Sequence, residues 1–183
     1  MTGYTAQPAV NKIWELGRQV LDGACRQYAE WHRQGIPVPR IAVNVSPAQL
    51  RRKLADLVRE SLARHDCPAE ILELEITESA LTADGPQVLE LLDTLTEMGV
   101  KIAVDDFGTG YSSLALLRRL PLDCLKTDKS FIDEIVANHQ DFTIVEAILR
   151  MGHGLGLRTV AEGVAHRRAA ATQRAQRLGP ARA

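Results

Sequence analysis

Long apolar runs are missing from this chain. No stretch approaches the ~20 residues needed to span a bilayer. The opening Met1-Thr2-Gly3-Tyr4 shows no basic region followed by an apolar one, so no secretory signal is visible. Cysteine is scarce: Cys25, Cys67 and Cys124 are odd in number and lack metal-ligand spacing. That excludes a disulfide framework or a zinc ribbon and leaves reduced, buried thiols as the reading. The histidines (His32, His65, His139, His153 and His166) form no zinc-like pair. Neither sign of charge is in excess. Lys plus Arg number 22 and Asp plus Glu 23, a net charge of −1. Nothing global draws the chain to DNA, RNA or an acidic membrane. The expectation is a soluble cytoplasmic protein without a membrane segment.

What is present is enough for a core. The chain has 183 residues, 45% of them apolar, which suits one folded domain. Five apolar segments each finish in a polar group: Ile41-Ala42-Val43-Asn44, Ile71-Leu72-Glu73-Leu74-Glu75, Ile102-Ala103-Val104-Asp105-Asp106, Cys124-Leu125-Lys126 and Thr159-Val160-Ala161-Glu162. Successive ends lie about 30 residues apart, the length of one strand–helix–strand unit. Buried parallel strands read as short apolar runs, and ligands gather at their carboxyl ends. The rhythm predicts an α/β fold, an incomplete TIM-type (β/α)8 barrel with five or six βα units.

Between the strands, helical spacing runs from Ile13 to Trp31 through Leu16, Val20, Leu21, Ala24, Cys25 and Tyr28. Ser46-Pro47-Ala48-Gln49 has a capping-box pattern and predicts a helix reaching His65. Pro86 to Met98 predicts another, stopped by Gly99, and Ser113 to Arg119 a short one. The next starts near Ser130, with a break around Asn138. Gly152, Gly154 and Gly156 precede a strand, so they mark a helix-to-strand turn and not a dinucleotide fingerprint. Residues 1–10 read as an arm, 11–165 as the domain and 166–183 as a basic Arg/Ala-rich tail.

Asp105 and Asp106 are adjacent at a strand end, so their side chains diverge unless the strand bends. A bent pair lets one carboxylate bridge two cations while the other serves one. Asn44, Glu75 and Glu162 add oxygen donors suited to magnesium or manganese. Glu78 could ligate, but acceptance of backbone N–H bonds from the glycine loop fits it better. Lys126, flanked by Leu122, Cys124 and Leu125, can act on a water or counter developing negative charge. Its bland alternative is a structural partner for Asp105 or Asp128. Two cations among carboxylates suit phosphodiester hydrolysis, and a magnesium-dependent proton abstraction is equally allowed.

The string Val104-Asp105-Asp106-Phe107-Gly108-Thr109-Gly110-Tyr111-Ser112-Ser113-Leu114 resembles the EAL-domain family of bacterial cyclic-di-GMP phosphodiesterases. Val43-Asn44-Val45-Ser46, Leu72-Glu73-Leu74-Glu75-Ile76-Thr77-Glu78-Ser79, Leu125-Lys126-Thr127-Asp128-Lys129-Ser130-Phe131 and Val160-Ala161-Glu162-Gly163-Val164 match further motifs in order. The resemblance implies hydrolysis of cyclic-di-GMP to linear pGpG with two ions of Mg2+ or Mn2+. By motif, Asn44, Glu75 and Asp105 would hold one cation and Asp105, Asp106 and Glu162 the second. Lys126 would act on the attacking water, Glu78 would anchor the loop, and Asp128 would support them. A homodimer is also in keeping with the family.

Departures from the pattern set further expectations. The family's Glu-Ala-Leu motif does not occur ahead of the helix at Ile13, and Glu15-Leu16 is followed by glycine. Ala165 stands where the family usually has a glutamate, and no closing Gln-Gly-Tyr strand is seen. These predict an incomplete barrel with weak or no activity. A non-catalytic cyclic-di-GMP-binding or interaction module, and a gene fragment that does not fold, are the alternatives.

Overall fold

The structure is a computed structural model that describes residues 8–82, 85–109, 114–133 and 139–163. Residues 1–7 of the expected arm, the break at Asn138 and the tail over 166–183 lie outside them, while residues 8–10 of that arm belong to the first helix.

Five strands form one parallel sheet in sequential order: β1 (Ile41–Val45), β2 (Leu72–Thr77), β3 (Lys101–Phe107), β4 (Cys124–Thr127) and β5 (Arg158–Ala161). Each strand pairs with the next along the chain. A doubly wound sheet would reverse its order at a switch point; a barrel adds staves one after another, as here.

Helices connect the strands on the side where the apolar residues point. On β2 the alternation is clean. Leu72, Leu74 and Ile76 are buried among apolar side chains, while Glu73 and Glu75 point to the opposite face. Ile102, Val104 and Leu125 extend that core, and α2 (Lys53–His65) and α4 (Gly85–Glu97) cover it with Leu54, Val58, Leu92 and Leu95. Gly99, at φ 98°, turns the chain from α4 into β3.

Two expectations change. The helix foreseen from Ser46 to His65 is split into a 3-10 turn at Pro47–Gln49 and α2. Gln49 explains the break: its Oε1 accepts the Ser46 N–H at 2.9 Å, and its Nε2 donates to the Ile13 carbonyl of α1 (Pro8–Arg33) at 3.3 Å. A continuous helix would carry that amide away from α1. Of the apolar positions assigned to α1, Leu21, Cys25 and Tyr28 are buried, but Leu16 and Val20 are exposed.

The remaining helices are short or follow the glycine turns. They are α3 (Glu78–Thr82), α5 (Leu114–Leu117), α6 (Lys129–Asp133) and α7 (His139–Gly154). Gly152 and Gly154 close α7 and Gly156, at φ 72°, leads into β5, as the helix-to-strand reading expects. No helix among the described residues is long and apolar enough to cross a membrane.

At the amino ends of the strands, ion pairs tie the staves together. Glu73 pairs with Arg40 at 2.8 Å and with Arg158. Lys101 Nζ lies 3.0 Å from Asp123 Oδ1, and Asp123 Oδ2 accepts the Ile102 N–H at 3.0 Å. The carboxyl ends are thereby left for chemistry.

Candidate metal centre

The carboxyl ends of β2, β3, β4 and β5 deliver their polar groups to one place. Lys126 Nζ lies 2.8 Å from Glu75 Oε1, 3.4 Å from Asp105 Oδ1 and 2.5 Å from Glu162 Oε1. Three strand ends thus converge on the lysine of a fourth. Register explains the meeting: Asn44 aligns with Glu75, Thr77 with Asp105 and Lys126 with Val160. Glu162, just past β5, donates its N–H to the Thr127 carbonyl at 3.4 Å and stays beside the ladder. Asn44 stands exposed in register with Glu75.

The strand bends where the two aspartates require it. Pairing of β3 with β4 shifts between Val104 and Phe107, and Asp106 sits at φ 53°. This left-handed geometry is one that aspartate tolerates better than most residues. Asp105 Oδ1 accepts the Asp106 N–H at 3.0 Å, which holds the bend. Glu78, buried at the start of α3, accepts the Gly108 N–H through Oε2 at 2.9 Å. Gly108 itself is at φ 102°, and a Cβ there would lie 3.1 Å from both Phe131 and Ile148. Glycine is required by both backbone and space. The expected glycine loop continues through residues 110–113, which lie outside the described residues.

Electrostatics are uneven. Burial works against the Lys126 ammonium, yet its bonds to Glu162 and Glu75 and the nearby Asp105 override this and raise its pKa. Asp106 is raised by burial first, then by the charges of Asp105, Asp128 and Glu162. Lys126 supplies one positive charge against three carboxylates, and Asp106 registers the uncompensated remainder. Asp128 does not serve as the lysine's partner. It caps α6, accepting the Ser130 N–H at 2.8 Å and the Ser130 hydroxyl, and those bonds lower its pKa.

Carboxylate and amide oxygens are the donors that hard divalent ions take. Glu75, Asp105, Asp106, Glu162 and Asn44 fit such ions by donor chemistry and by surplus negative charge. Among the described residues, no three acidic, histidine or cysteine groups are set as ligands around one point. The ammonium of Lys126 occupies the centre of the carboxylates instead.

Sequence reasoning missed three supporting contacts. Ser130 steadies Asp128, and the Asp-x-Ser spacing was a readable cap signal. Gly163, at φ 71°, lies so close to Lys129 that any Cβ would collide with that side chain. Phe131 and Ile148 wall the glycine turn, a contact between distant residues with no local signature.

The match to known proteins follows this geometry. A family model described as the EAL domain matches residues 8–179. Cyclic di-GMP phosphodiesterase NbdA of Pseudomonas aeruginosa is 48% identical over 153 residues, covering 83% of this chain and 20% of the relative. A solved cyclic-di-GMP complex of the MucR phosphodiesterase superposes with a TM-score of 0.86 at 44% identity, covering 93% of this chain and 69% of the other. The manganese and cyclic-di-GMP complex of Klebsiella pneumoniae BlrP1 gives a TM-score of 0.73 at 27% identity, covering 88% of this chain and 41% of that one. The chain spans about a fifth of the length of the curated relatives it matches. Its sheet is accordingly part of a TIM-type barrel, and the chain belongs to the EAL domain family.

Proposed function

We propose that this chain carries the ligand- and metal-binding face of a cyclic-di-GMP phosphodiesterase, which opens the cyclic dinucleotide to linear pGpG. The observation that supports it most is the convergence of Glu75, Asp105 and Glu162 on Lys126 at the carboxyl ends of neighbouring strands. In this reading Asn44, Glu75 and Asp105 hold one divalent cation, and Asp105, Asp106 and Glu162 hold a second. Bound Mg2+ or Mn2+ would acidify the attacking water and stabilise charge on the phosphoryl oxygens. The chain's own groups do the positioning. Lys126 directs N–H donors at the attacking oxygen and offsets negative charge as it develops. The Asp105–Asp106 bend presents two carboxylates on different headings from adjacent residues. Glu78 fixes the glycine turn, and Asp128 steadies the segment after β4.

Thermal unfolding with and without Mn2+ plus cyclic-di-GMP tests the reading, because a ligand stabilises the state it binds. At a hundredfold excess over Kd the gain is about 2.7 kcal/mol. For a domain of this size that moves Tm by roughly 5–10 °C. Asp105→Ala should abolish the shift. A transition that ignores metal and ligand together would sink the proposal.

A further inference from the structure

The carboxyl end of β1 is held by a side-chain amide as well as by the sheet. Among the described residues β1 lies at the edge of the sheet, with β2 as its strand neighbour. Asn44 is the next-to-last residue of β1, so the turn that follows also sets its heading. Gln49 builds that turn. Its N–H donates to the Ser46 carbonyl at 2.8 Å, and its Oε1 accepts the Ser46 N–H at 2.9 Å. The residue is 6% exposed, so its Nε2 needs a partner inside the protein. It finds the Ile13 carbonyl of α1 at 3.3 Å.

Gly17 makes room for this amide. It lies one turn after Ile13, on the same face of α1. A Cβ on Gly17 would overlap Gln49 Nε2 and come within 3.0 Å of its Cδ. Gly17 does not lie in the left-handed region, so space and not backbone geometry calls for glycine. Alanine would otherwise suit a helix interior better. Lys53 Nζ, 5.5 Å from the centre of the Trp14 ring, ties the start of α2 to the same turn of α1. The first turns of α1 thus grip the connection between β1 and α2 at two points.

We propose that Gln49 is a positioning residue for the cation site: its amide, seated over Gly17, fixes the turn after β1 and so holds Asn44 beside Glu75. This rests on the reading that Asn44 ligates a divalent ion. Gln49 itself touches no ion. It acts through Ser46 and the two residues of backbone that lead back to Asn44, and Gly17 serves it by leaving the space open.

The test follows free Mn2+ by paramagnetic resonance as it is titrated into the whole chain, well below the unfolding temperature, with Tm recorded alongside. Gln49→Ala should weaken Mn2+ binding about tenfold, the lower end of what groups supporting a ligand contribute. Gly17→Ala should do the same, because its methyl group drives the amide off Ile13. In the Gln49→Ala background the collision is gone, so Gly17→Ala should raise Tm and leave Mn2+ affinity unchanged. In an Asn44→Ala background, Gln49→Ala should cost no further affinity, since both changes disable one ligand. If Gln49→Ala fails to fold, Gln49→Met keeps the bulk, removes both polar groups and carries the same expectations. A fall in Tm with Mn2+ affinity unchanged would overturn the proposal alone and leave Gln49 a structural tie. Additive losses from Asn44→Ala and Gln49→Ala would also overturn it. No Mn2+ binding by the unsubstituted chain would overturn the cation reading, and the proposal with it.

Discussion

Replacing Lys126 with methionine keeps the length of the side chain and removes its charge, which isolates the role of the ammonium. Its Nζ faces carboxylate oxygens at 2.8, 3.4 and 2.5 Å, and all three lose their counter-charge together. Removing one partner from a buried ion pair costs about 3–5 kcal/mol. The Glu162 side chain is 34% exposed and can turn to water, so the lower end, about 3 kcal/mol, applies here. With a urea slope of about 2–3 kcal/mol per molar, the unfolding midpoint falls by roughly 1–1.5 M. The vacated carboxylates then favour a divalent cation more strongly. Mn2+ should therefore raise the midpoint of Lys126→Met more than that of the unsubstituted chain. An unchanged midpoint would refute the view that the lysine neutralises a buried acidic cluster. A loss that Mn2+ leaves untouched would refute the view that the cluster is a cation site.

Glu78→Ala leaves the Gly108 N–H without its buried acceptor and should destabilise by about 1–3 kcal/mol in urea unfolding. Glu78→Gln keeps an oxygen there and should lose less than about 1 kcal/mol. Asp106→Asn removes a charge that burial and three acidic neighbours disfavour. Without divalent ions its Tm should rise, and the increment that Mn2+ adds should shrink. Asp22 accepts bonds from Arg64 at 2.5 Å and His65 at 3.0 Å, and its pKa is lowered, first by the Arg64 bond and then by His65. Its stabilisation is complete above the ordinary carboxylate value of about 3.9 and fades as pH falls through the lowered folded value. Asp22→Asn should accordingly weaken the chain at pH 7 and flatten its loss of stability in acid, as read from urea midpoints.

The strand ends were legible because parallel strands buried on both faces leave short apolar runs, and their polar terminations are conspicuous. Asn44, Glu75, Asp105, Lys126 and Glu162 all stood out in this way. The break after Gln49 was not legible. Leu50, inside the interruption, and Leu54 and Val58, beyond it, are all buried, so the apolar spacing runs on without marking the break. Its cause is the amide contact with Ile13, 36 positions away. Leu16 and Val20 continue the helical stripe of α1 yet face solvent, since periodicity identifies a face and not what covers it. The α3 helix, five residues long, is too short to show a helical period in the sequence. The bend at Asp106 could be stated as a condition on the two aspartates, but its positive φ depends on pairing with β4 and on the Asp105 bond.

Chromatographic detection of pGpG after incubating the chain with cyclic-di-GMP and Mn2+ tests the central claim most directly. The account predicts a linear product, however slowly formed, that disappears when the metal is chelated and in Asp105→Ala. Product that persists in the chelated or substituted samples would contradict it.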